Sequence, residues 1–313
     1  MKALVTGGAG FIGSHLSERL LDHGATVVAL DCFTDYYARD IKERNVAGLR
    51  GRPGYRLVES TIADADLPDL LDGVTHVFHL AAQAGVRKSW GREFQIYTTL
   101  NVDATQVLLE ACVGRPIERV VYASSSSVYG DEATLPMRED VPLHPVSPYG
   151  VTKLAAEQLC YLYHVNHGVP TVSLRYFTVY GPRQRPDMGF HRFLSAIFEE
   201  RAVAQYGDGL QTRDFTFVAD AVAATHAAAV RGVPGRVYNI GGGSRVSLRD
   251  VFALLGTVTG RPVRIDQQPS QKGDMRDTYA DTTLARADLG FEPGVTLEEG
   301  LRAMYRWMDS TRA

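Results

Sequence analysis

Near the start of the chain, a short apolar run, Ala3, Leu4 and Val5, ends in a glycine turn that opens an amphipathic stretch running through Leu20 and Leu21. Gly7, Gly10 and Gly13 stand at a spacing of three, G-x-x-G-x-x-G, at the junction. Glycine there lets the backbone approach a ligand closely, and the helix that follows offers its free N-terminal amides and the positive end of its dipole to an anion. The strand-turn-helix context is what separates this spacing from an ordinary turn. Gly24 ends the helix and Thr26 to Leu30 reads as a second strand, so residues 2–31 form one βαβ unit. The fold expected is α/β: a Rossmann-type, doubly wound parallel sheet with a smaller C-terminal substrate-binding lobe. The ligand expected at the turn is the pyrophosphate of a dinucleotide, held by Gly7, Gly10, Phe11, Ile12 and Gly13. Asp31, closing the second strand, accepts from a ribose 2′-hydroxyl and repels a 2′-phosphate, which favours NAD over NADP.

Further strands are expected near Tyr55–Val58, Val77–Leu80, Val120–Ala123 and Arg236–Ile240, separated by helical stretches. A length of 313 residues with 45% hydrophobic and 22% charged residues supports a large core and two intimate lobes. Residues 1–175 are expected to form the NAD-binding domain and 176–313 mainly the substrate lobe, with a segment near 212–243 returning to the first domain. A net charge of −3 draws in neither nucleic acid nor an anionic membrane surface, so an anionic ligand must be held by locally placed arginines. Cys32, Cys112 and Cys160 are few, odd in number and far apart, which predicts plain thiols and no disulfide framework. The histidines follow no ligand spacing, so no metal is expected. Without a secretory h-region or a long apolar segment, the expectation is a cytoplasmic enzyme.

The chemistry concentrates between Ser124 and Lys153. Val120–Ala123 reads as a buried strand, which puts Ser124, Ser125, Ser126 and Ser127 at its carboxyl end, the ligand edge of an open α/β sheet. Downstream, Ser147 suits the N-cap of a new helix and Pro148 its first turn. Tyr149 and Lys153 then stand one turn apart on one helix face. An ammonium at that distance favours the phenolate, drawing a phenol pKa of about 10 toward neutrality, where tyrosine acts as a base or an acid.

The glycine spacing, Asp31 and the Y-x-x-x-K pair together resemble the extended short-chain dehydrogenase/reductase family over nearly the whole chain. That resemblance implies Ser125, Tyr149 and Lys153 as the catalytic set, with Tyr149 and Lys153 also touching a tightly bound NAD. It places Leu80, Ala81 and Ala82 beside the nicotinamide ribose and Asn101 near Lys153. Where the family has an Asp for the adenine amino group, this chain has Thr61, so adenine contact is expected from Thr61 and the Ile62 amide. The resemblance also implies a homodimer, paired through helices like those expected over 93–112 and 148–167.

Within the family, Ser124-Ser125-Ser126-Ser127-Val128-Tyr129-Gly130 resembles the nucleotide-sugar epimerase and dehydratase group. Dehydratases of that group carry Asp-Glu before the Val-Tyr-Gly, and UDP-glucuronate decarboxylases carry a Glu there; Ser126 and Ser127 offer no acid. Arg175-Tyr176-Phe177-Thr178-Val179-Tyr180-Gly181-Pro182, continuing to Met188, is most similar to UDP-glucuronate 4-epimerases, whereas UDP-glucose 4-epimerases more often have Asn at the place of Thr178. The substrate implied is a UDP-sugar, met by Arg87, Ser126, Ser127, Thr178, Arg185, Arg192, Tyr206, Arg213 and Arg276. Three neutral hydroxyls, Ser126, Ser127 and Thr178, suit a C6 carboxylate and also a C6 hydroxymethyl group, so UDP-glucose remains the alternative. A UDP-glucuronate decarboxylase, a dehydrogenase that releases its cofactor and a non-catalytic NAD-sensing protein are the remaining readings.

Overall fold

The computed structural model describes residues 1–312. Seven parallel strands form the central sheet, in the order Val237–Ile240, Thr171–Tyr176, Arg119–Ser125, His76–His79, Lys2–Thr6, Thr26–Asp31, Tyr55–Glu59. Strand order reverses between Lys2–Thr6 and His76–His79, and the carboxyl ends beside that reversal open the crevice where such sheets bind ligands. Alternation along the strands divides the core. Ala3 and Val5 pack with the helices Phe11–Asp22 and Val218–Arg231 on one face, while Leu4, Val77 and Val120 pack with Ala104–Cys112 and Pro148–His167 on the other. Val218–Arg231 packs on one face of the sheet and Val237–Ile240 supplies an edge strand.

A separate apolar cluster, with Phe190, Leu194, Val251, Leu255, Leu301 and Met304, holds together the helices Gly189–Phe198, Leu248–Thr259 and Leu297–Arg312. A further cluster joins Val128, Tyr129, Met137, Phe177, Met275 and Ala280, so the Val-Tyr-Gly turn packs against residues from the C-terminal part of the chain. Local signals in the sequence act as expected at the helix ends. Ser147 Oγ accepts from the Gly150 amide at 3.1 Å, Pro148 occupies the first turn, and Gly168 closes the helix at φ 68°. Thr296 and Glu299 form a reciprocal capping box. Ser247 caps the Asp250 amide in the same way, but the Asp250 carboxylate accepts from the Ser247 hydroxyl and leaves that serine's own amide aside.

One expected element is different. The helix anticipated over 93–112 is broken into Phe94–Tyr97, a π-helical stretch Thr98–Asp103, and Ala104–Cys112. The widened turn carries Asn101, whose Oδ1 accepts from the Gln83 amide at 2.7 Å and whose Nδ2 donates to Gln83 O and Thr152 Oγ1, both at 3.0 Å. A buried amide drawn to partners on two other segments accounts for the interruption; π-bulges of this kind recur at functional sites.

A nucleotide cleft with a tyrosine and a lysine at its floor

The crevice at the sheet's carboxyl edge is lined by the glycine turn, by Asp31, by the end of the fourth strand and by the Pro148–His167 helix. Gly7 sits at φ 70°, and a Cβ on it would lie 2.9 Å from the Ala81 amide nitrogen, so only glycine lets the two strand ends approach. A Cβ on Gly13 would meet Gly7 O at 2.2 Å. Gly10 caps the first helix without a side chain, and no acid occupies its first turn. Together these leave a concave, amide-lined helix N-terminus of the kind that takes a diphosphate. NAD fits this set of residues: Gly7, Gly10, Phe11, Ile12, Gly13, Asp31, Thr61, Ile62, Leu80, Ala81, Ala82, Tyr149 and Lys153 all line the one cleft.

The structure adds a partner to Asp31, where it lines the cleft. Its Oδ1 accepts from Lys42 Nζ at 2.7 Å and from the Phe33 amide at 2.9 Å, and its Oδ2 accepts from the Ala9 amide at 3.1 Å. The carboxylate's repulsion of a 2′-phosphate is therefore partly cancelled by an adjacent ammonium. Lys42 went unnoticed in the sequence, although the inward positions of the Arg39–Ala47 helix, Lys42, Asn45 and Val46, follow the i, i+3, i+4 rule that finds a buried face. Thr61 also lines the cleft, with its hydroxyl bonded to Asp64.

At the other end, Tyr149 and Lys153 face the cleft together with Ser124, Tyr36, Tyr37, Gln83, Tyr176 and Arg185. Ser125 is next to Ser124 on the strand and takes the Ser127 amide on its hydroxyl at 3.1 Å. The Tyr149 phenol does not titrate low in this state. Burial pushes it above its ordinary value, against the opposing pull of a hydrogen bond from Ser125 and the charge of Arg185. Lys153, 3% exposed and with its ammonium 4.6 Å from the centre of the Tyr122 ring, is brought down to about 7 by burial. The simple picture of an ammonium that acidifies the phenol thus needs correction: both groups are deep in the molecule, and desolvation outweighs their spacing.

The other expected contacts fall in two groups. Arg185 is held by Asp187, Nε to Oδ1 and Nη2 to Oδ2 at 3.0 Å each, and Asp187 also accepts from the Tyr36 hydroxyl at 3.3 Å. Arg87, Arg192 and Tyr206 cluster farther out, with the Arg87 guanidinium 4.1 Å from the Tyr206 ring centre and paired with Asp274 at 2.6 Å. Arg276 pairs with Asp208 at 3.0 Å. Arg213 donates to the carbonyls of Thr212, Met275 and Arg276, a use of the guanidinium as a loop clamp that the sequence did not announce. Tyr206 ends the strand Val203–Tyr206, which pairs in parallel with Ile265–Gln268. Asn101 is not among the residues lining the cleft; its side chain bonds Gln83 and Thr152, the neighbour of Lys153.

The seven-stranded parallel sheet, its glycine turn and the Ser125, Tyr149, Lys153 set define an extended short-chain dehydrogenase/reductase. The sequence profile described as "NAD dependent epimerase/dehydratase family" matches residues 3–241, and the chain belongs to that family. Among its relatives is a Bacillus subtilis (strain 168) protein named "Uncharacterized UDP-glucose epimerase YtcB", 42% identical, over 99% of this chain and 98% of that one. A "Probable UDP-glucuronate 4-epimerase" of Rhizobium meliloti (strain 1021) is 35% identical over 99% of this chain and 97% of that one. The crystal structure of UDP-glucuronic acid 4-epimerase from Bacillus cereus in complex with UDP-glucuronic acid and NAD superposes with a TM-score of 0.97 at 42% identity, covering 99% of this chain and 100% of that one.

Replacing Asp31 with Ala removes the carboxylate and leaves the Lys42 ammonium without its partner in the cleft. The ratio of NAD to NADP affinity should fall at least about tenfold, a change of about 1.4 kcal/mol, as read by calorimetric titration with each cofactor. An unchanged ratio would show that Asp31 does not reach the ribose.

Proposed function

We propose that this chain is an NAD-dependent isomerase that inverts C4 of a UDP-hexuronic acid, interconverting UDP-glucuronic acid and UDP-galacturonic acid. The observation that carries the reading is the meeting of Tyr149, Lys153 and Arg185 in one cleft with the glycine turn, beside a strand end that holds serines and no acid. The Bacillus cereus enzyme, in complex with UDP-glucuronic acid and NAD, has the same fold over the full chain, which supports it. The name of the Bacillus subtilis relative favours the second reading, UDP-glucose, whose C6 hydroxymethyl the same hydroxyls accept.

Tightly bound NAD, held by the glycine turn, Asp31 and Leu80–Ala82, supplies a hydride acceptor that returns the hydride in the same turnover. Tyr149 removes the proton from the sugar C4 hydroxyl and later gives it back, with Ser125 hydrogen-bonded in the same set. Burial opposes ionisation of this phenol, and the hydrogen bond from Ser125 and the charge of Arg185 are the opposing pulls on which the proton transfer draws near neutral pH, with the Lys153 ammonium adding positive charge while it is protonated. Arg87, Arg192, Tyr206, Arg213 and Arg276 keep the UDP in place while the 4-keto sugar turns its other face toward the cofactor. Each guanidinium suits phosphate oxygens, and the Asp274 and Asp208 pairs already hold two of them in position.

The deciding experiment incubates the purified protein with UDP-glucuronic acid and, separately, with UDP-glucose, following the sugar protons by NMR. Inversion of the glucuronic acid is expected, and at least about a hundredfold loss in Tyr149→Phe with NAD retained. Turnover of the neutral sugar alone would transfer the reading to UDP-glucose. Near wild-type rates in the variant would remove Tyr149 from the mechanism.

A hazard of the favoured substrate supplies a sharper test. Oxidising C4 of glucuronic acid makes a β-keto acid, which loses carbon dioxide when the breaking bond stands perpendicular to the carbonyl plane. Ser126, Ser127 and Thr178 keep the carboxylate out of that orientation with hydrogen bonds worth roughly 1.5 to 3 kcal/mol each to a charged acceptor. Thr178→Ala and Ser127→Ala should therefore weaken UDP-glucuronic acid binding more than UDP-glucose binding and raise the fraction of 4-keto pentose among the products, measured by chromatography. Equal losses on the two sugars with no pentose would remove the clamp.

The assembly belongs to the same proposal. Tyr161, Leu162 and Val165 form an exposed apolar stripe on the Pro148–His167 helix, 56%, 49% and 59% accessible, with Ile96 at 46% on the neighbouring segment. Two copies that bury this stripe against each other form a homodimer, and the three free thiols suit a cytoplasmic enzyme. Light scattering should give twice the chain mass, reduced to one chain mass by Leu162→Glu with Val165→Glu; a monomeric wild type would refute the dimer.

A further inference from the structure

One turn beyond Lys153 on the same helix, Glu157 is 2% exposed and carries a set of contacts that the reaction as described does not use. Arg175, from the neighbouring strand and 3% exposed, donates to it twice, Nε to Oε2 at 3.1 Å and Nη2 to Oε1 at 2.6 Å. Ser124 Oγ, the residue just before Ser125, donates to the same Oε2 at 2.6 Å. The remaining arm of Arg175 donates to the Tyr129 hydroxyl at 2.9 Å, and that hydroxyl donates to Asn239 Oδ1 at 2.7 Å. Asn239 in turn holds the Met137 and Asp281 carbonyls. One carboxylate therefore joins the helix that carries Tyr149 and Lys153, the strand end that carries Ser125, the Val-Tyr-Gly turn and the edge of the sheet.

We propose that Glu157 is a positioning residue for the reaction: held by Arg175, it sets Ser125 against Tyr149 through Ser124, and its charge keeps the Lys153 ammonium in place. The proposal rests on the catalytic reading of Ser125, Tyr149 and Lys153 given above. Apart from Tyr149, the titratable groups around Lys153 are Glu157 and Cys160 on its own helix and Tyr122 and His79 on the adjacent strands. Of these, Cys160 and Glu157 would both favour the ammonium if charged, but burial pushes the Cys160 thiol up and keeps it neutral, which leaves the Glu157 carboxylate; His79, buried, is pushed down to about 3 and stays neutral. Burial of Lys153 works in the other direction, so removing the Glu157 charge lowers the lysine further. A protonated lysine is present below its pKa and lost as pH rises through it, so a lowered pKa brings the alkaline loss of activity to lower pH.

Three variants separate charge, reach and mere stability. Glu157→Asp keeps the charge and shortens the reach to Ser124: kcat should fall about tenfold, with the KM for the UDP-sugar within about twofold and the alkaline limb of the kcat profile unmoved. Ser124→Ala should reproduce that kcat loss in a smaller measure. Glu157→Gln should lower kcat and move the alkaline limb down by about one pH unit; it also strands a buried guanidinium, and if it does not fold the other two variants decide the proposal. A structural role alone would lower the melting temperature and leave the kcat to KM split and the limb unmoved, and that result overturns the proposal. So does a Glu157→Asp enzyme with kcat within twofold of wild type. All variants are compared with wild type in the sugar-proton assay, so an inactive wild type, or an unaffected Tyr149→Phe, would count against the catalytic reading and not against Glu157.

Discussion

The close approach of Gly7 to the Leu80–Ala81 backbone is the constraint from which the rest of the cleft follows. A Cβ at Gly7 would lie 2.9 Å from one backbone nitrogen, and one at Gly13 would meet the Gly7 carbonyl, so the turn closes only because both side chains are absent. With the turn closed, the first helix begins directly over the strand reversal, and its uncapped N-terminus points into the crevice. The neighbouring strand ends are then fixed by register. Lys2–Thr6 pairs with His76–His79 and that strand with Arg119–Ser125, which brings Ala81 and Ser125 to the same edge of the sheet.

Two buried polar systems stiffen that edge from below. His79 joins the strands and the π-bulge: its Nδ1 lies 2.8 Å from Thr6 Oγ1 and its Nε2 2.9 Å from Thr105 Oγ1. Thr6 accepts from the Ala81 amide and Thr105 donates to Asn101 O, so the directions of the chain require the Nε2–H tautomer of a neutral ring. The Glu157–Arg175 pair does the corresponding work on the other side of Lys153, where every arm of the guanidinium finds an acceptor. Buried ion pairs of this kind contribute little net stability against an apolar alternative, yet removing one partner costs about 3 to 5 kcal/mol, so they hold geometry more than they hold the fold.

Charge at the mouth of the cleft follows a different rule. Arg87, Arg185 and Arg276 each rest on an aspartate, Asp274, Asp187 and Asp208. The Arg87 and Arg276 pairs are open to solvent and weakly held, so an incoming diphosphate exchanges partners with them at small cost. Arg185 lies deeper, beside the phenol whose ionisation its charge favours, and there Asp187 and Tyr36 hold the guanidinium in a fixed direction.

Much of this was written locally in the chain. The Gly7, Gly10 and Gly13 spacing, the Ser147-Pro148 start of a helix, Gly24 and Gly168 at helix ends, and the one-turn spacing of Tyr149 and Lys153 are all short-range patterns, legible from the chain without its distant contacts. The unbroken apolar run Ala3, Leu4 and Val5 likewise marked a strand, and the structure buries it on both faces. What only the tertiary structure decided depends on partners far apart in sequence. Asn101 opens a π-bulge because Gln83 and Thr152 come to it from two other segments, and Arg175 reaches Tyr129 across 46 positions. The ionisation of Tyr149 and Lys153 was out of reach for the same reason: spacing sets how the two side chains attract, but desolvation depends on everything packed around them, and here it is the larger effect.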